Sequence, residues 1–344
     1  MVGQSLGSYF NSLQFCVRVS SGGEAILHAV NRLIEDCGSD VGLSMLLVDF
    51  QNAFNLIERA AMLREVRHRC AGLSRWVEFC YSNPARLYYG DHTLWSSQGV
   101  QQGDPIGPLL FALVLQLLVC KMRDTFDVCL RAWYLDDGTV ISDTLVVGKV
   151  LQLIMEERPR LWLHLNVEKT EVFWPLENPR SRLVGVFPPN IARPLRGVKL
   201  LGGPANSNFD FGGKLVMQRV TKTIALMDRV SKLDDPQCEL LLLRACTGVS
   251  KLYFALRTCP PSTFEAAQRT FNGALRSSLE RIVTASGPGF GDWQWRLATL
   301  PFAYGRLGVY SAGDVRHYAF LASRLQFAGL QTRLLWHAGV VGLG

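Results

Sequence analysis

The sequence has few of the residue patterns that mark common metal-binding and hydrolytic sites. None of its nine cysteines is separated from another by two residues, and no pair among its six histidines completes a zinc-binding pattern. It contains neither a P-loop nor the Ser, His and Asp order of a serine hydrolase. Segment 108–120 is apolar but too short to cross a bilayer, and it carries Gln116. These absences exclude zinc modules and P-loop nucleotidases, and they indicate no membrane partner.

Composition places the chain among intracellular globular proteins. An odd number of cysteines without a signal peptide predicts reduced thiols and a nuclear or cytoplasmic location. At 344 residues and 48% hydrophobic, the chain can bury a large core and form two or three subdomains. The formal net charge of +7 suits a partner with a phosphate backbone but does not demand one. Nothing in the sequence indicates an oligomeric state.

The adjacent aspartates Asp136 and Asp137 are the most informative feature. Apolar segments flank them on both sides, which predicts a β-hairpin over residues 128–142 with the acidic pair at its turn. Two like charges there destabilise the fold unless a cation neutralises them, and carboxylates favour a hard ion such as Mg²⁺. Taken alone, an Asp-Asp-Gly surface turn is the commoner structure.

A third carboxylate, Asp49, ends an apolar segment at 43–50 that is typical of a buried strand. Residues 51–69 then show helical spacing, with inward positions at Phe54, Ile57, Ala61, Met62, Val66 and Cys70. Asp49 alone is more often an N-cap for such a helix. If its strand joins the hairpin in one sheet, however, three carboxylates converge. Carboxylates that bridge two metal ions form the general apparatus for displacement at phosphorus.

Five motifs then follow one another between residues 40 and 205. They are Asp49-x-x-x-Ala53-Phe54, segment 98–111 with its Gln-Gly-Asp-Pro sequence, Tyr134-Leu135-Asp136-Asp137, segment 163–171, and segment 198–202. The ordered set resembles the five palm motifs of reverse transcriptases. Among these it is most similar to the non-LTR (LINE-like) retroelement enzymes of plant genomes. Trp293-x-Trp295 and segment 305–308 also resemble that subgroup.

The resemblance implies catalytic roles for four residues. Asp49, Asp136 and Asp137 would form the metal site for two Mg²⁺ ions, with Mn²⁺ as the alternative, and Asp137 would support the arrangement without necessarily binding an ion. The backbone carbonyl of Phe50 would complete one coordination sphere. Lys169 matches a residue that protonates the leaving pyrophosphate, although a solvated lysine at a helix cap is almost as common.

Further roles concern nucleotide and template binding. Phe54 matches the steric gate that rejects a ribose 2′-hydroxyl, whereas without the resemblance it reads as a core residue of a helix. Gln102, Gly103 and Pro105 would lie in a loop along the incoming nucleotide and template, where glycine and proline let the backbone approach closely. Tyr134 would pack beneath the primer end.

The sequence departs from the family pattern at several positions. Asn55 stands where Asp is frequent, Arg59 where His is frequent, and Gly107 where Ser is frequent. None of these removes a metal ligand. Only 48 residues precede Asp49, so the resemblance implies that the upstream finger strands are absent. We therefore expect an N-terminally truncated chain, either a fragment of a larger gene product or a decayed genomic copy, and nothing resembles an endonuclease or RNase H domain.

The expected fold class is α+β, with a mixed or antiparallel palm sheet, packed helices, partial fingers and a helical thumb. The predicted division is 1–42 for the partial fingers, 43–205 for the palm, 206–290 for the thumb and 291–344 for a C-terminal extension. Thumb helices are expected over 214–233, 236–257 and 261–285. Seven basic residues lie among their apolar positions: Arg219, Lys222, Arg229, Lys232, Arg244, Lys251 and Arg257.

The function that follows from the resemblance is an RNA-directed DNA polymerase, a nucleotidyltransferase. Its partners would be an RNA template, a DNA primer and deoxynucleoside triphosphates. One alternative is a catalytically inactive remnant that keeps nucleic-acid binding, which the missing finger strands favour. A second alternative is an RNA-dependent RNA polymerase, since palm motifs are shared, but Phe54 at the gate position argues against it.

Overall fold

The computed structural model describes residues 6–7, 9–10, 13–176, 185–206, 209–285 and 287–340, without the side chains of residues 158, 159 and 209. The chain divides into two compact units. One comprises Met1–Leu195 and Gly329–Gly344, and the other comprises Arg196–Ala328. Among the described helices, none has both the length and the apolar content needed to cross a membrane.

The first unit alternates helices with the strands of an antiparallel sheet. Its elements are α1 (Gly22–Cys37), β1 (Leu43–Val48), α2 (Ala53–Leu56), α3 (Arg59–Arg69), α4 (Ala71–Tyr81), β2 (Ala85–Tyr89), β3 (His92–Ser96), α5 (Gly107–Thr125), β4 (Leu130–Tyr134), β5 (Asp137–Asp143), α6 (Thr144–Leu161) and β6 (Glu171–Phe173). Strands run in the order β4-β5-β1-β6, and every neighbouring pair is antiparallel. The predicted α+β class is therefore confirmed, with the strand of Asp49 and the acidic hairpin in one sheet.

Burial on both faces of β1 explains its apolar sequence. Met45 and Leu46, which point to opposite faces, are both completely buried. Helix α5 packs into the same core through Leu110, Phe111 and Leu113, each completely buried. Burying one such side chain stabilises a fold by roughly 1.5–3 kcal/mol. The sheet edge that carries the aspartates thus rests on a large, close-packed core.

The helix predicted over 51–69 is two helices, α2 and α3, separated at Ile57. The carbonyl of Phe54 accepts a hydrogen bond from the amide of Val100 (2.6 Å), and that of Ile57 accepts one from the amide of Gly99 (3.0 Å). These carbonyls are used by a distant loop rather than by the next turn of helix, so the helix breaks. The predicted inward positions are confirmed for Ile57, Ala61, Met62, Val66 and Cys70, which are at most 1% exposed.

The second unit has its own hydrophobic core. It contains the hairpin of β7 (Val198–Leu200) and β8 (Gly203–Ala205), followed by α7 (Phe209–Val230), α8 (Pro236–Leu242), α9 (Tyr253–Thr258), α10 (Glu265–Thr284), α11 (Asp292–Thr299) and α12 (Ala312–Gln326). The last helix, α13 (Ala328–Leu335), belongs to the first unit from Gly329 onwards. The four-part division of the chain into fingers, palm, thumb and extension stays a prediction.

The continuous helix predicted over 236–257 is wrong. Two short helical turns separate α8 from α9: a π-helical turn at Leu243–Thr247 and a 3₁₀ turn at Val249–Leu252. The chain bends at Gly248, where an added Cβ would lie 2.3 Å from the carbonyl oxygen of Leu243. Only glycine permits so close an approach, and apolar spacing alone did not reveal it.

Candidate active site

The acidic pair lies at the tip of the hairpin β4–β5, as predicted. Tyr134 pairs with Asp137, which leaves Leu135 and Asp136 as a two-residue turn. Leu135 has a φ of 57°, in the left-handed region that residues with a side chain rarely adopt. Such a conformation costs on the order of 1 kcal/mol, and it persists where the surrounding structure fixes it.

Asp49 reaches the same edge of the sheet through the register of β1 against β5. Val48 pairs with Gly138, so the next residue, Asp49, lies opposite Asp137. Neighbouring strands are about 4.8 Å apart. Asp49 is therefore brought to the same sheet edge as Asp136 and Asp137, which lie far from it in sequence.

Crowding of these carboxylates changes their acidity. Burial raises the pKa of Asp136, and the charge of Asp49 raises it further. The pKa of Asp137 is raised to about 6, first by loss of hydration and then by the charges of Asp136 and Asp49. Burial is the larger cause of both shifts and the neighbouring negative charge the smaller one, and a bound cation would favour the ionised form of each carboxyl.

A cavity of about 490 Å³ opens at this edge. Six of the ten residues predicted to form the active site line it: Asp49, Phe50, Phe54, Gln102, Asp136 and Lys169. Residues without a predicted role complete its wall: Gln51, Asn52, Ala53, Asn55 and Asn166. Asp137, Gly103, Pro105 and Tyr134 are not among the described residues that line it.

The donor set of this cavity suits a hard divalent ion. Within the described ranges, no group of three or more His, Cys, Asp or Glu side chains is arranged to hold a metal. Asp49 and Asp136 nevertheless line one cavity together with Phe50. Mg²⁺ is commonly held by one or two carboxylates, with substrate phosphates and water as its other ligands. The residues present therefore fit Mg²⁺, while a site of three carboxylates stays a prediction.

The fourth motif braces the end of β1 that carries Asp49. The amide of Asp49 donates a hydrogen bond to the Thr170 hydroxyl (3.3 Å), and its carbonyl accepts one from the amide of Asn166 (2.9 Å). The amide of Lys169 donates to the side-chain oxygen of Asn166 (3.3 Å), which closes the turn before Thr170. This turn carries Lys169 to the cavity wall, and Asn166 is a structural residue that the motif alone did not single out.

The second motif is held against α2 by its backbone. A Cβ on Gly99 would lie 2.2 Å from the backbone carbon of Asn55, so the loop can approach the helix only because glycine stands there. Gly103 has a φ of 94°, which again favours glycine. Its neighbour Gln102 lies on the cavity wall. The two glycines thus set the path of the loop on either side of Gln102.

Arg59, noted in the sequence only as a departure from the family, fixes the start of this loop. Its Nε donates to the Gly99 carbonyl (2.9 Å), its Nη1 to the Ser96 carbonyl (2.7 Å) and its Nη2 to the Ser96 hydroxyl (2.9 Å). The guanidinium also lies 5.2 Å from the ring centroid of Tyr81. Because these partners lie far along the chain, local sequence pattern could not reveal the role.

Tyr81 ties the same loop to α5. Its hydroxyl donates to the carboxylate of Asp104 and accepts a hydrogen bond from the amide of Gln101 (3.3 Å). Asp104 in turn accepts one from the amide of Ile106 (3.0 Å), directly before α5 begins. Burial, followed by the hydrogen bond to Asp104, raises the pKa of Tyr81 to about 12.

The segment before α1 pairs with the outer edge of β4. The amide of Phe15 donates to the Trp133 carbonyl (2.8 Å), and the Trp133 amide donates to Leu13 (2.9 Å). This pairing places the Cys16 thiol beside the hydroxyl of Tyr134, and burial raises the pKa of both groups. Tyr134 is therefore held by the N-terminal segment, which the sequence assigned to the fingers.

Basic residues of the second unit fall into two groups. Lys222, Arg229 and Lys251 line a cavity of about 390 Å³. Arg219 instead lies over the Phe254 ring and donates to the Gly202 carbonyl, whereas Arg257 is 7% exposed. Of the seven basic residues noted in the sequence, Arg219 and Arg257 therefore contribute to packing within the unit.

Comparisons with known proteins agree with these motifs. The reverse transcriptase (RNA-dependent DNA polymerase) family model matches residues 34–205, half of the chain. The retrotransposable element SLACS 132 kDa protein of Trypanosoma brucei gambiense is 29% identical over 170 residues, which cover 47% of this chain and 14% of that protein. The chain thus matches only a small part of the length of this curated relative.

Solved structures of telomerase are also similar. Apo telomerase from Candida tropicalis is 13% identical with a TM-score of 0.46, over 98% of this chain and 60% of that one. Telomerase from Candida albicans in complex with a TWJ fragment of telomeric RNA is 11% identical with a TM-score of 0.43, over 98% and 57% of the two chains.

Proposed function

Because the chain belongs to the reverse transcriptase family, we propose that it is the polymerase domain of a non-LTR retrotransposon protein. It would extend a DNA primer with deoxynucleoside triphosphates along an RNA template. The observation that carries this proposal is the cavity in which Asp49 and Asp136 meet Phe54. The assignment to plant LINE-like elements and the nuclear or cytoplasmic location stay predictions from the sequence.

The metal site would use the carboxylates of Asp49 and Asp136 and the carbonyl of Phe50. Asp137 would support it by adding negative charge at the hairpin tip. Bound divalent ions would lower the pKa of the primer 3′-hydroxyl and would neutralise charge on the triphosphate. The Thr170 and Asn166 hydrogen bonds fix the backbone of Asp49, and the paired strands fix the turn of Asp136. The backbone that carries each carboxylate is then ordered before substrate binds.

Other residues of the cavity would orient the substrates. The Phe54 ring would exclude a 2′-hydroxyl, and Gln102, held in its loop by Gly103 and Pro105, would contact the incoming nucleotide and the template base. Lys169 would place a proton donor and a positive charge near the leaving pyrophosphate. Tyr134 would support the primer end, while Lys222, Arg229 and Lys251 of the second unit would contact phosphates of the duplex.

Primer extension on an RNA template tests the proposal. The wild-type chain should incorporate deoxynucleotides when Mg²⁺ or Mn²⁺ is present, and Asp136→Ala should abolish incorporation. Asp127→Ala is the matched control, because this carboxylate just before β4 has a side chain that is 94% exposed. Equal activity of the wild type and Asp136→Ala would contradict the assignment.

Calorimetric titration with Mn²⁺ provides a readout that does not require activity. We expect binding heat for the wild type and for Asp127→Ala, and its loss in Asp49→Ala and Asp136→Ala. Equal heats for all four proteins would contradict the assignment of the metal site to Asp49 and Asp136. If metal binds but no primer is extended, the catalytic proposal fails and the chain is the non-catalytic nucleic-acid-binding remnant.

A further inference from the structure

The hairpin of β2 and β3 exposes an unusual amount of aromatic surface. Its strands form a two-stranded sheet to which the described residues add no third strand. Tyr88 is 75% exposed, Tyr89 77% and Trp95 58%. Two-stranded hairpins are marginally stable by themselves, and exposed apolar patches mark binding surfaces. The pairing of the two strands puts Arg86, Tyr88 and Trp95 on one face and Leu87, Tyr89 and Leu94 on the other. We call the face that carries Tyr88 and Trp95 the hairpin surface.

The hairpin surface adjoins the candidate active site. A cavity of about 580 Å³ is lined by Leu87 and Trp95 from the hairpin and by Asn55 and Gln102. Asn55 and Gln102 also line the cavity of Asp49 and Asp136. A strand that leaves the active site past Gln102 would therefore run directly onto the hairpin. Arg59 holds this arrangement, because it binds Ser96 at the end of β3.

The side chains of the hairpin suit the binding of nucleotides. They do not suit a metal ion, which would need several acidic side chains as ligands. Aromatic rings stack on bases of any sequence. The Arg86 guanidinium lies 5.1 Å from the ring centroid of Trp95, which adds a planar cation beside that ring. Asp91 is the only acidic residue between 85 and 96, so little there would repel a phosphate backbone.

We propose that the hairpin surface holds the unpaired template nucleotides ahead of the primer end, by stacking their bases on Tyr88 and Trp95. The proposal rests on the polymerase function proposed above. The argument for the template is geometric: bases inside a duplex are already stacked on their neighbours, whereas unpaired bases have free faces, and the primer is paired up to its 3′ end. The strand still to be copied is therefore the single strand available beside the active site.

Binding of template–primer duplexes that differ only in the length of the unpaired template tests the proposal. The wild-type chain should bind a duplex with a long unpaired template more tightly than one with a single unpaired nucleotide. Tyr88→Ala and Trp95→Ala should each reduce that advantage by about fivefold or more, as expected when one stacked base is lost. Their affinity for the duplex with a single unpaired nucleotide should change little.

Trp76→Ala and Phe79→Ala are the matched controls. These residues are 60% and 80% exposed, but they lie on α4 and not on the hairpin whose Trp95 lines the cavity beside Gln102. Both variants should keep the wild-type dependence on template length. Because all four substituted side chains are exposed, thermal melting should confirm that every variant is folded.

Three results would overturn the proposal. Equal loss of affinity for both duplexes would assign the surface to duplex binding, and an unchanged advantage would assign it no role in binding the template. Dissociation of a dimer by Tyr88→Ala would make it an interface between copies of the chain. Asp136→Ala separates this proposal from the polymerase function, since it should abolish incorporation and preserve the dependence on template length.

Discussion

The ring of Phe54 stacks on the ring of Phe111, with their centroids 4.5 Å apart and their planes inclined by 16°. Phe111 is completely buried in α5, so it gives Phe54 a rigid support. Phe54 also lines the cavity of Asp49 and Asp136. The core position and the gate position, which were alternatives in the sequence, are therefore compatible in one residue.

Phe54→Ala should increase the use of ribonucleotides relative to deoxynucleotides by about tenfold or more, or about 1.4 kcal/mol in the barrier. The reason is that removing the ring opens space for a 2′-hydroxyl. The measurement is the ratio of kcat/KM for matched ribo- and deoxynucleoside triphosphates. That ratio does not depend on the folded fraction, so loss of the Phe111 contact cannot mimic the effect. Phe54→Leu should be intermediate, and unchanged sugar selectivity in both variants would refute the gate.

Arg59→Lys should destabilise the fold by about 1–3 kcal/mol, because one ammonium cannot replace a planar fork bound to Ser96 and Gly99. It should also raise the KM for nucleotide more than it lowers kcat, since the loop of Gln102 loses its anchor. Denaturant unfolding and steady-state kinetics measure the two effects. Arg64→Lys, at an exposed position of α3, should change neither. A stable Arg59→Lys variant with wild-type kinetics would show that the fork is dispensable.

Local periodicity was sufficient to predict the elements that carry the aspartates. The apolar segment at 43–50 forms β1, and the segment at 128–142 forms the hairpin β4–β5. Each pattern depends on neighbours within a few residues, which sequence shows directly. The order of the motifs then predicted that Asp49 and Asp136 would meet, and the sheet register agrees.

Contacts between distant residues were beyond such patterns. The break at Ile57 depends on the amide of Gly99, and the function of Arg59 depends on Ser96. Cys16 beside Tyr134 follows from a pairing of residues about 120 positions apart, and the bend at Gly248 follows from a steric limit at one carbonyl. In each case the decisive partner is fixed by tertiary packing, which periodicity does not encode.

Tyr81 should contribute to stability in a way that is lost in alkali. Its native pKa of about 12 lies above the ordinary value of 10.0. The native state therefore holds the phenol proton more tightly, so the contribution is complete below about pH 10 and is lost as the pH rises toward about 12. The free energy of unfolding of the wild type should then fall more steeply above about pH 10 than that of Tyr81→Phe. Tyr89→Phe, at a position that is 77% exposed, is the control for the removal of a tyrosine hydroxyl.

Gly138 is the position where one added methyl should separate catalytic geometry from overall stability. A Cβ there would lie 2.5 Å from ring carbons of Trp133, which is completely buried and stacked on Phe50. The indole cannot yield, so the start of β5 must shift, and Asp137 and the turn of Asp136 shift with it. We expect Gly138→Ala to lower the free energy of unfolding by about 1–3 kcal/mol.

Gly138→Ala should also reduce primer extension under conditions where calorimetry shows the variant to be fully folded, since Asp136 no longer lies with Asp49 at the cavity. Gly273→Ala is the control, because nothing lies within 4 Å of its added Cβ on α10. That change should stabilise the protein by about 0.5–1 kcal/mol, as alanine does in place of glycine within a helix. If Gly138→Ala matches it in both stability and activity, the indole does not control the hairpin tip.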